Sequence, residues 1–393
     1  MTSQPMASHD DREREQWRVT RRALNQRRHQ LAAAAVRLYP GVPRVGGTAL
    51  LCRDEWIPAR PIGLDEVRLR WAEPAPPPVV SGTIPASAHL RPPAPDGQRY
   101  ATYADAVAAL DPPALFENRP TYRLLAASLA ASLAGPDGDA HLDLTRGRYF
   151  DTVSVAEALA HELAAALPGD DAGIGMDRLP FRAAVGDPCD LARRSVSVAI
   201  STLTLRRAPD GTASFLLHWR DPAKVTHAGG MYQVIPVGIF QPASGTPESE
   251  RADLSLWRAM VREFSEELLG ASEDYRTEDG PFRYENWDFY RRLTSARETG
   301  QLRVWCLGLG VDPLTLVTDI LTVAVFDSEL FDATFPSVVA ENAEGRVVAG
   351  QGRRGFSFTD ETVSRFTGGA EPMQAAGTAV LQLAWNHRTV LLG

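Results

Sequence analysis

The chain has 393 residues, 44% of them apolar, and a formal net charge of −8, which is long enough for two folded domains and offers no general attraction to nucleic acid or an anionic membrane. Its cysteines, Cys52, Cys189 and Cys306, lie far apart with no CxxC pair, which argues against a disulfide framework and a structural zinc site. No apolar run reaches the eighteen or so residues of a membrane helix, the first residues lack the apolar core of a signal peptide, and a cytoplasmic location is expected.

From about Asp10 to Leu38, Trp17, Val19, Leu24, Leu31, Ala34 and Leu38 recur among arginines, the pattern of an amphipathic helix. Asp10, Asp11, Glu13 and Glu15 offset its basic charge, so nucleic acid is not an expected partner. GGTALLCRDEWIPARPIGLDEVRLRW reads as strands broken by prolines, followed by a segment too rich in proline for regular structure. Helices are predicted at 120–135 and 154–167, the second opened by a Ser154…Glu157 capping box and closed by Pro168 and Gly169. His161 and Glu162 begin an HExxH-like string, but Ala165 stands where the second histidine belongs, so an ordinary helix histidine is expected there.

At Ser195 the pattern changes. SVSVAISTLTL alternates apolar and polar residues, APDG turns, and TASFLLHWR returns, which spells a β-hairpin. MYQVIPVGIF follows as a strand, then the helix containing VREFSEELLG, a helical stretch at 284–296, the strands LRVWCLGLG and TLVTDILTVAVF, and a closing apolar helix. The expected class is α/β: a mixed sheet flanked by helices over residues 191–393, preceded by an α/β accessory domain over residues 1–190.

The chemistry concentrates in VREFSEELLG. At about 100° per residue, Trp257, Met260, Val261, Phe264 and Leu268 form one stripe, and Glu263, Glu266 and Glu267 share a flank of the opposite side. Like charges three and four residues apart cost an isolated helix a few tenths of a kcal/mol per pair, a penalty that a bound cation removes. Hard divalent ions take oxygen ligands, keep several waters and are completed by substrate phosphates. The alternative from these residues alone is a solvated acidic face.

The string R-E-F-S-E-E resembles the R-E-U-x-E-E core of the Nudix hydrolase family, in which U is apolar. The preceding hairpin, the strand ending in PVG where the family commonly has PGG, and the later ENAEGRVV, FSFTDETVSRF and last helix extend the resemblance from Ser195 to the C-terminus. It implies a Nudix-like α/β/α sandwich and a hydrolase in which water attacks a diphosphate linkage of a nucleoside diphosphate derivative or related organic diphosphate, with Mg²⁺ or Mn²⁺ as cofactor. Glu263, Glu266 and Glu267 would take the metal-binding and base positions, Arg262 would orient them, and Gly238 would let backbone approach. A further acidic ligand is sought at Glu344 or Glu341, with Glu285 behind them. The family pattern G-x5-E-x7-R-E sets glycine and arginine 14 apart, whereas Gly238 and Arg262 are 24 apart. QPASGTPESERADLS therefore carries about ten extra residues, and Glu248 and Glu250 both remain open for the early glutamate.

Trp219, Tyr232, Phe240 and Trp257 flank the expected site and could stack on an aromatic group or serve as core. His218, Arg220, Lys224 and His227 could meet phosphate oxygens, Arg220 by a bidentate contact. Lys224, the one lysine among 41 basic residues, is followed by Val225, which excludes a P-loop. The expected partner is a small phosphorylated molecule, and a homodimer is compatible with everything above. A catalytically inactive Nudix-like sensor, binding a nucleotide-like ligand and signalling through residues 1–190, is the alternative function.

Overall fold

The computed structural model describes residues 8–113, 116–130, 139–169, 173–220, 230–272, 281–336, 338, 345–348 and 355–393. The N-terminal half contains helices α1 (His9–Val36), α2 (Tyr103–Leu110), α3 (Tyr149–Ala166) and α4 (Pro180–Val185), and strands β1 (Ile62–Gly63), β2 (Arg68–Trp71), β3 (Pro120–Ser128) and β4 (His141–Arg148). Strands β2, β4 and β3 make a three-stranded sheet, parallel between β2 and β4 and antiparallel between β4 and β3.

The C-terminal half supplies strands β5 (Val198–Arg207), β6 (Ala213–Phe215), β7 (Leu217–Arg220), β8 (Tyr232–Val234), β9 (Val237–Ile239), β10 (Leu302–Val311), β11 (Thr318–Asp327), β12 (Gly345–Val348) and β13 (Phe356–Ser357). Its helices are α5 (Pro247–Ala252), α6 (Leu256–Leu269), α7 (Asp288–Glu298), α8 (Ser328–Thr334), α9 (Asp360–Thr367), α10 (Ala375–Asn386) and α11 (Arg388–Leu392). The main sheet runs β1-β10-β11-β5-β6-β13, with β9 also on β5, and is mixed because β11 and β5 are parallel. A smaller sheet runs β12-β7-β8. The protein is a mixed α/β structure.

The alternating hairpin forms as read, with Gly211 at φ 83° in its turn, but its return strand splits at Leu216 into β6 of the main sheet and β7 of the small one. MYQVIPVGIF likewise divides into β8 and β9 around Ile235 and Pro236.

The helix expected from residue 120 is a correction. Residues 120–128 form β3 because they have partners on both sides: Tyr122 packs its ring 4.5 Å from Phe240, while Thr121 Oγ1 lies 2.8 Å from Ser197 Oγ and Arg123 Nη2 donates to the Ala192 carbonyl at 2.8 Å. Those contacts override a weak alanine-rich helical preference. The capping box is a second correction. Helix α3 begins at Tyr149, so Ser154 and Glu157 lie inside it, and Glu157 instead meets the buried guanidinium groups of Arg21 and Arg28 from α1. His161 is a core residue, its Nδ1 2.9 Å from the Tyr103 hydroxyl and its ring stacked 5.4 Å from Trp17.

Contacts cross residue 190 in several places. Strand β1 pairs with β10, Leu51 and Val311 exchange backbone hydrogen bonds at 2.9 and 2.8 Å, and one buried cluster includes Trp17, Leu124, Ile200, Phe264 and Val380. Two fully buried arginines grip the turn between β10 and β11: Arg182 donates to the carbonyls of Pro313 and Leu314, and Arg194 to that of Leu316 at 3.0 Å. Leu316 is held there at φ 60°, a left-handed conformation that costs a branched residue energy and persists only where its surroundings fix it.

Two buried groups give opposite pH dependences. Burial pushes Asp319 up to about 7, against the hydrogen bond from Ser201 and with help from Asp312, so between about pH 4 and 7 the folded chain holds a proton that the unfolded chain has released. That contribution to stability falls as pH rises. Burial, with the charge of Arg21, pushes His161 down to about 3, so the unfolded chain holds the extra proton up to about pH 6.5 and this contribution rises with pH. Asp319→Asn keeps an acceptor for Ser201 and removes only the falling term. Denaturant unfolding from pH 4 to 6.5 is expected to show stability climbing more steeply in the variant than in the parent; equal slopes would mean that Asp319 is ionised in the folded state.

Candidate active site

Helix α6 forms where its own sequence starts and stops it. Ser255 caps the N-terminus by accepting from the Arg258 amide at 3.3 Å, and Gly270 ends it at φ 69°, its N–H returning to the Glu266 carbonyl. Trp257, Met260, Val261, Phe264 and Leu268 are all buried, with Phe264 against Phe326 and Phe335. This stripe fixes the helix, and thereby fixes where the glutamates point.

They do not form a solvated face. Gly238 is the β9 residue opposite Ile200 of β5, and a Cβ placed on it would lie 1.9–2.2 Å from the carboxylate atoms of Glu263. Only glycine lets this carboxylate lie on the strand. Glu267 is 7% exposed, and its Oε1 accepts from the neighbouring Val237 amide at 3.2 Å. Two of the three carboxylates thus meet consecutive residues of one strand, with Glu266 half-buried beside them.

Arg262, 4% exposed, runs alongside. Its Nη2 donates to the Gln241 carbonyl at 2.5 Å, its Nη1 donates to the buried Tyr284 hydroxyl, and Asp253 Oδ1 lies 3.8 Å from Nη1. Burial disfavours its charge, but Tyr284, Asp253 and Glu263 outweigh that and raise its pKa. Asp253 is itself buried, accepting from Ser249 Oγ at 2.6 Å and the Ala243 amide at 2.7 Å. Of the two glutamates left open for the early acidic position, Glu248 is exposed and Glu250 pairs with Arg146; the acid that faces Arg262 from this segment is Asp253. It stands nine residues before the arginine where the motif spacing gives eight, which is why its signal was missed. Tyr284 carries no motif at all.

Other expected residues separate. Tyr232 and Trp219 are cross-strand partners with rings 4.8 Å apart, and Tyr232 also packs 5.4 Å from Phe366. Arg220 follows Trp219 on β7, so its side chain takes the opposite face of the small sheet from Tyr232. Phe240 and Trp257 are core, Trp257 donating to Thr294 Oγ1 at 3.0 Å beneath Arg297. Glu285 is held by Arg258 at 2.8 Å. Lys224, His227, Glu341 and Glu344 lie outside the described residues.

Among the described residues, no group of three or more His, Cys, Asp or Glu side chains is gathered to hold an ion. A closed protein cage is therefore absent from that part of the chain. The donor set instead suits a hard cation that takes one or two carboxylates and completes its shell with water and phosphate.

No family model and no curated protein matches this chain. Among solved structures, the crystal structure of a NUDIX hydrolase from Alicyclobacillus acidocaldarius matches over 50% of this chain and 96% of its own, at 14% identity and a TM-score of 0.26. So slight a superposition carries no argument about this site.

The Gly238–Glu263 contact can be tested directly. Gly238→Ala requires only the mobile end of Glu263 to yield, so the thermal midpoint is expected to fall by less than about 4 °C, while a crystal structure shows the carboxylate displaced from β9. A variant in which Glu263 stays and the strand moves would contradict this assignment.

Proposed function

We propose that the protein is a Nudix-type hydrolase, cleaving a diphosphate linkage in a nucleoside diphosphate derivative or related organic diphosphate with Mg²⁺ or Mn²⁺. The observation that carries the proposal is the convergence of Glu263 and Glu267 on Gly238 and Val237, next to a buried arginine that the R-E-x-x-E-E order places one residue ahead of the first glutamate. A helix serving only as a charged surface has no use for a glycine cleared for one carboxylate or for a second carboxylate buried on the same strand.

In this reading a bound divalent ion supplies charge neutralisation of the diphosphate and a more acidic water. The chain's residues do the rest. Glu263 and Glu267, with Glu266, provide the carboxylate oxygens, Glu344 being the candidate from a later loop. Glu266 and Glu267 are the candidates for accepting the proton of the attacking water. Arg262 orients the acidic flank, because its own position is fixed from three directions and it cannot follow a mobile substrate. Arg220, Lys224, Gly238 and Tyr232 are the proposed substrate contacts, though Arg220 and Tyr232 would serve different parts of a ligand.

The test is a screen of nucleoside diphosphate derivatives for hydrolysis with and without Mg²⁺, run with Glu266→Gln and Glu267→Gln. Metal-dependent turnover is expected, falling by about 10²–10⁴-fold in at least one variant. Undiminished turnover in both would remove the catalytic assignment. Ligand binding with no turnover in any form would favour the sensor.

A further inference from the structure

The insertion that separates Gly238 from Arg262 is attached to the N-terminal sheet, and the attachment converges on one residue. Arg146 of β4 donates from Nε to Glu250 Oε2 of α5 at 2.6 Å and from Nη1 to Glu73 Oε1 at 2.5 Å, with its guanidinium 5.7 Å over the Trp71 ring. The pair with Glu250 holds the Arg146 charge and raises its pKa. On the adjacent strand β3, the buried Tyr122 donates its hydroxyl to the Glu250 carbonyl at 2.7 Å and packs on Phe240, where the insertion begins. The loop is also tied to itself, the Ala243 amide near its start and Ser249 of α5 both donating to Asp253 near its end. The groups at its two ends, the Gln241 carbonyl and the Asp253 carboxylate, are the ones that face Arg262.

We propose that Arg146 is a positioning residue: through Glu250 it sets the insertion, and through Gln241 and Asp253 the insertion sets Arg262 and the glutamates of α6. The N-terminal half thereby takes part in the geometry of a site to which it contributes no ligand among the described residues. The effect on turnover rests on the diphosphatase reading; the mechanical coupling does not. A half-exposed ion pair contributes little to global stability, but a misplacement of about 1 Å at reacting groups costs on the order of 10²-fold in rate. Loss of Arg146 should therefore act on the site far more than on the fold.

The test uses the full chain with Arg146→Ala, Arg146→Lys, Glu250→Gln and the Arg146→Ala/Glu250→Gln double variant. Amide hydrogen exchange over 241–255 and 256–269, thermal midpoints, and kcat and KM on whichever diphosphate the screen identifies are compared. Either single variant that breaks the pair is expected to speed exchange about fivefold in both segments. The midpoint should shift by less than about 4 °C, and kcat should fall at least about tenfold with KM nearly constant. The double variant should add little to either single one, since both remove the same contact, and Arg146→Lys should recover part of the loss. Faster exchange confined to 247–252, with α6 unchanged, would overturn the proposal by making the pair a local tether. So would a loosened α6 with unchanged kcat. If exchange responds as expected but the parent chain turns over no diphosphate, the hydrolase reading fails and the coupling stands.

Discussion

The burial of one guanidinium group organises the region around α6. Arg262 gives up water only because a carbonyl from the insertion, a carboxylate at the insertion's end and a phenol from beyond α6 replace it. Removing one partner from such a buried charge commonly costs about 3–5 kcal/mol, so the segments that supply them must be assembled together. Glu263 adjoins this fixed point, and Glu267 lies one helical turn further along the same flank. The apolar stripe holds the helix to the sheet, and Arg262 ties it to the insertion and to Tyr284.

The same device recurs elsewhere in the chain. Arg182 reaches from the N-terminal half to carbonyls of the β10–β11 turn, Arg194 meets another carbonyl of that turn from within the C-terminal half, and Arg21 and Arg28 share Glu157 within the N-terminal half. In a chain with forty arginines and one lysine, the planar, multiply donating guanidinium is the buried cation at hand, suited to binding several carbonyls at once. The Arg182 contacts add to backbone hydrogen bonds that already cross between the halves, such as β1 on β10. Residues 1–190 are thereby built against the sheet that carries the acidic helix.

What could be read beforehand follows the range of the interactions involved. The cap at Ser255 is a local pattern that was not read from the sequence, whereas the stop at Gly270 and the buried stripe of α6, equally local, were legible residue by residue. So was the closeness of Gly238 to the glutamates, though only through the resemblance. Strand β3 was misread because its preference is set by Phe240, Ser197 and Ala192, all remote in sequence. The capping box at Ser154 failed for the opposite reason, since a valid local signal lay inside a helix already started at Tyr149. Asp253 and Tyr284 were missed because the insertion disturbs the spacing that would have flagged the first and no pattern marks the second. That Arg220 and Tyr232 take opposite faces of the small sheet depends on the cross-strand pairing of Trp219 with Tyr232, which joins segments on either side of residues 221–229.

The central claim is that the α6 carboxylates beside β9 hold a divalent ion together with a diphosphate. The most direct measurement is titration of the full chain with Mn²⁺ in the presence and absence of inorganic pyrophosphate, followed by electron paramagnetic resonance and compared with Glu263→Gln. The account predicts that binding is strengthened by pyrophosphate and weakened at least tenfold by the substitution. Equal Mn²⁺ binding by parent and variant would contradict it.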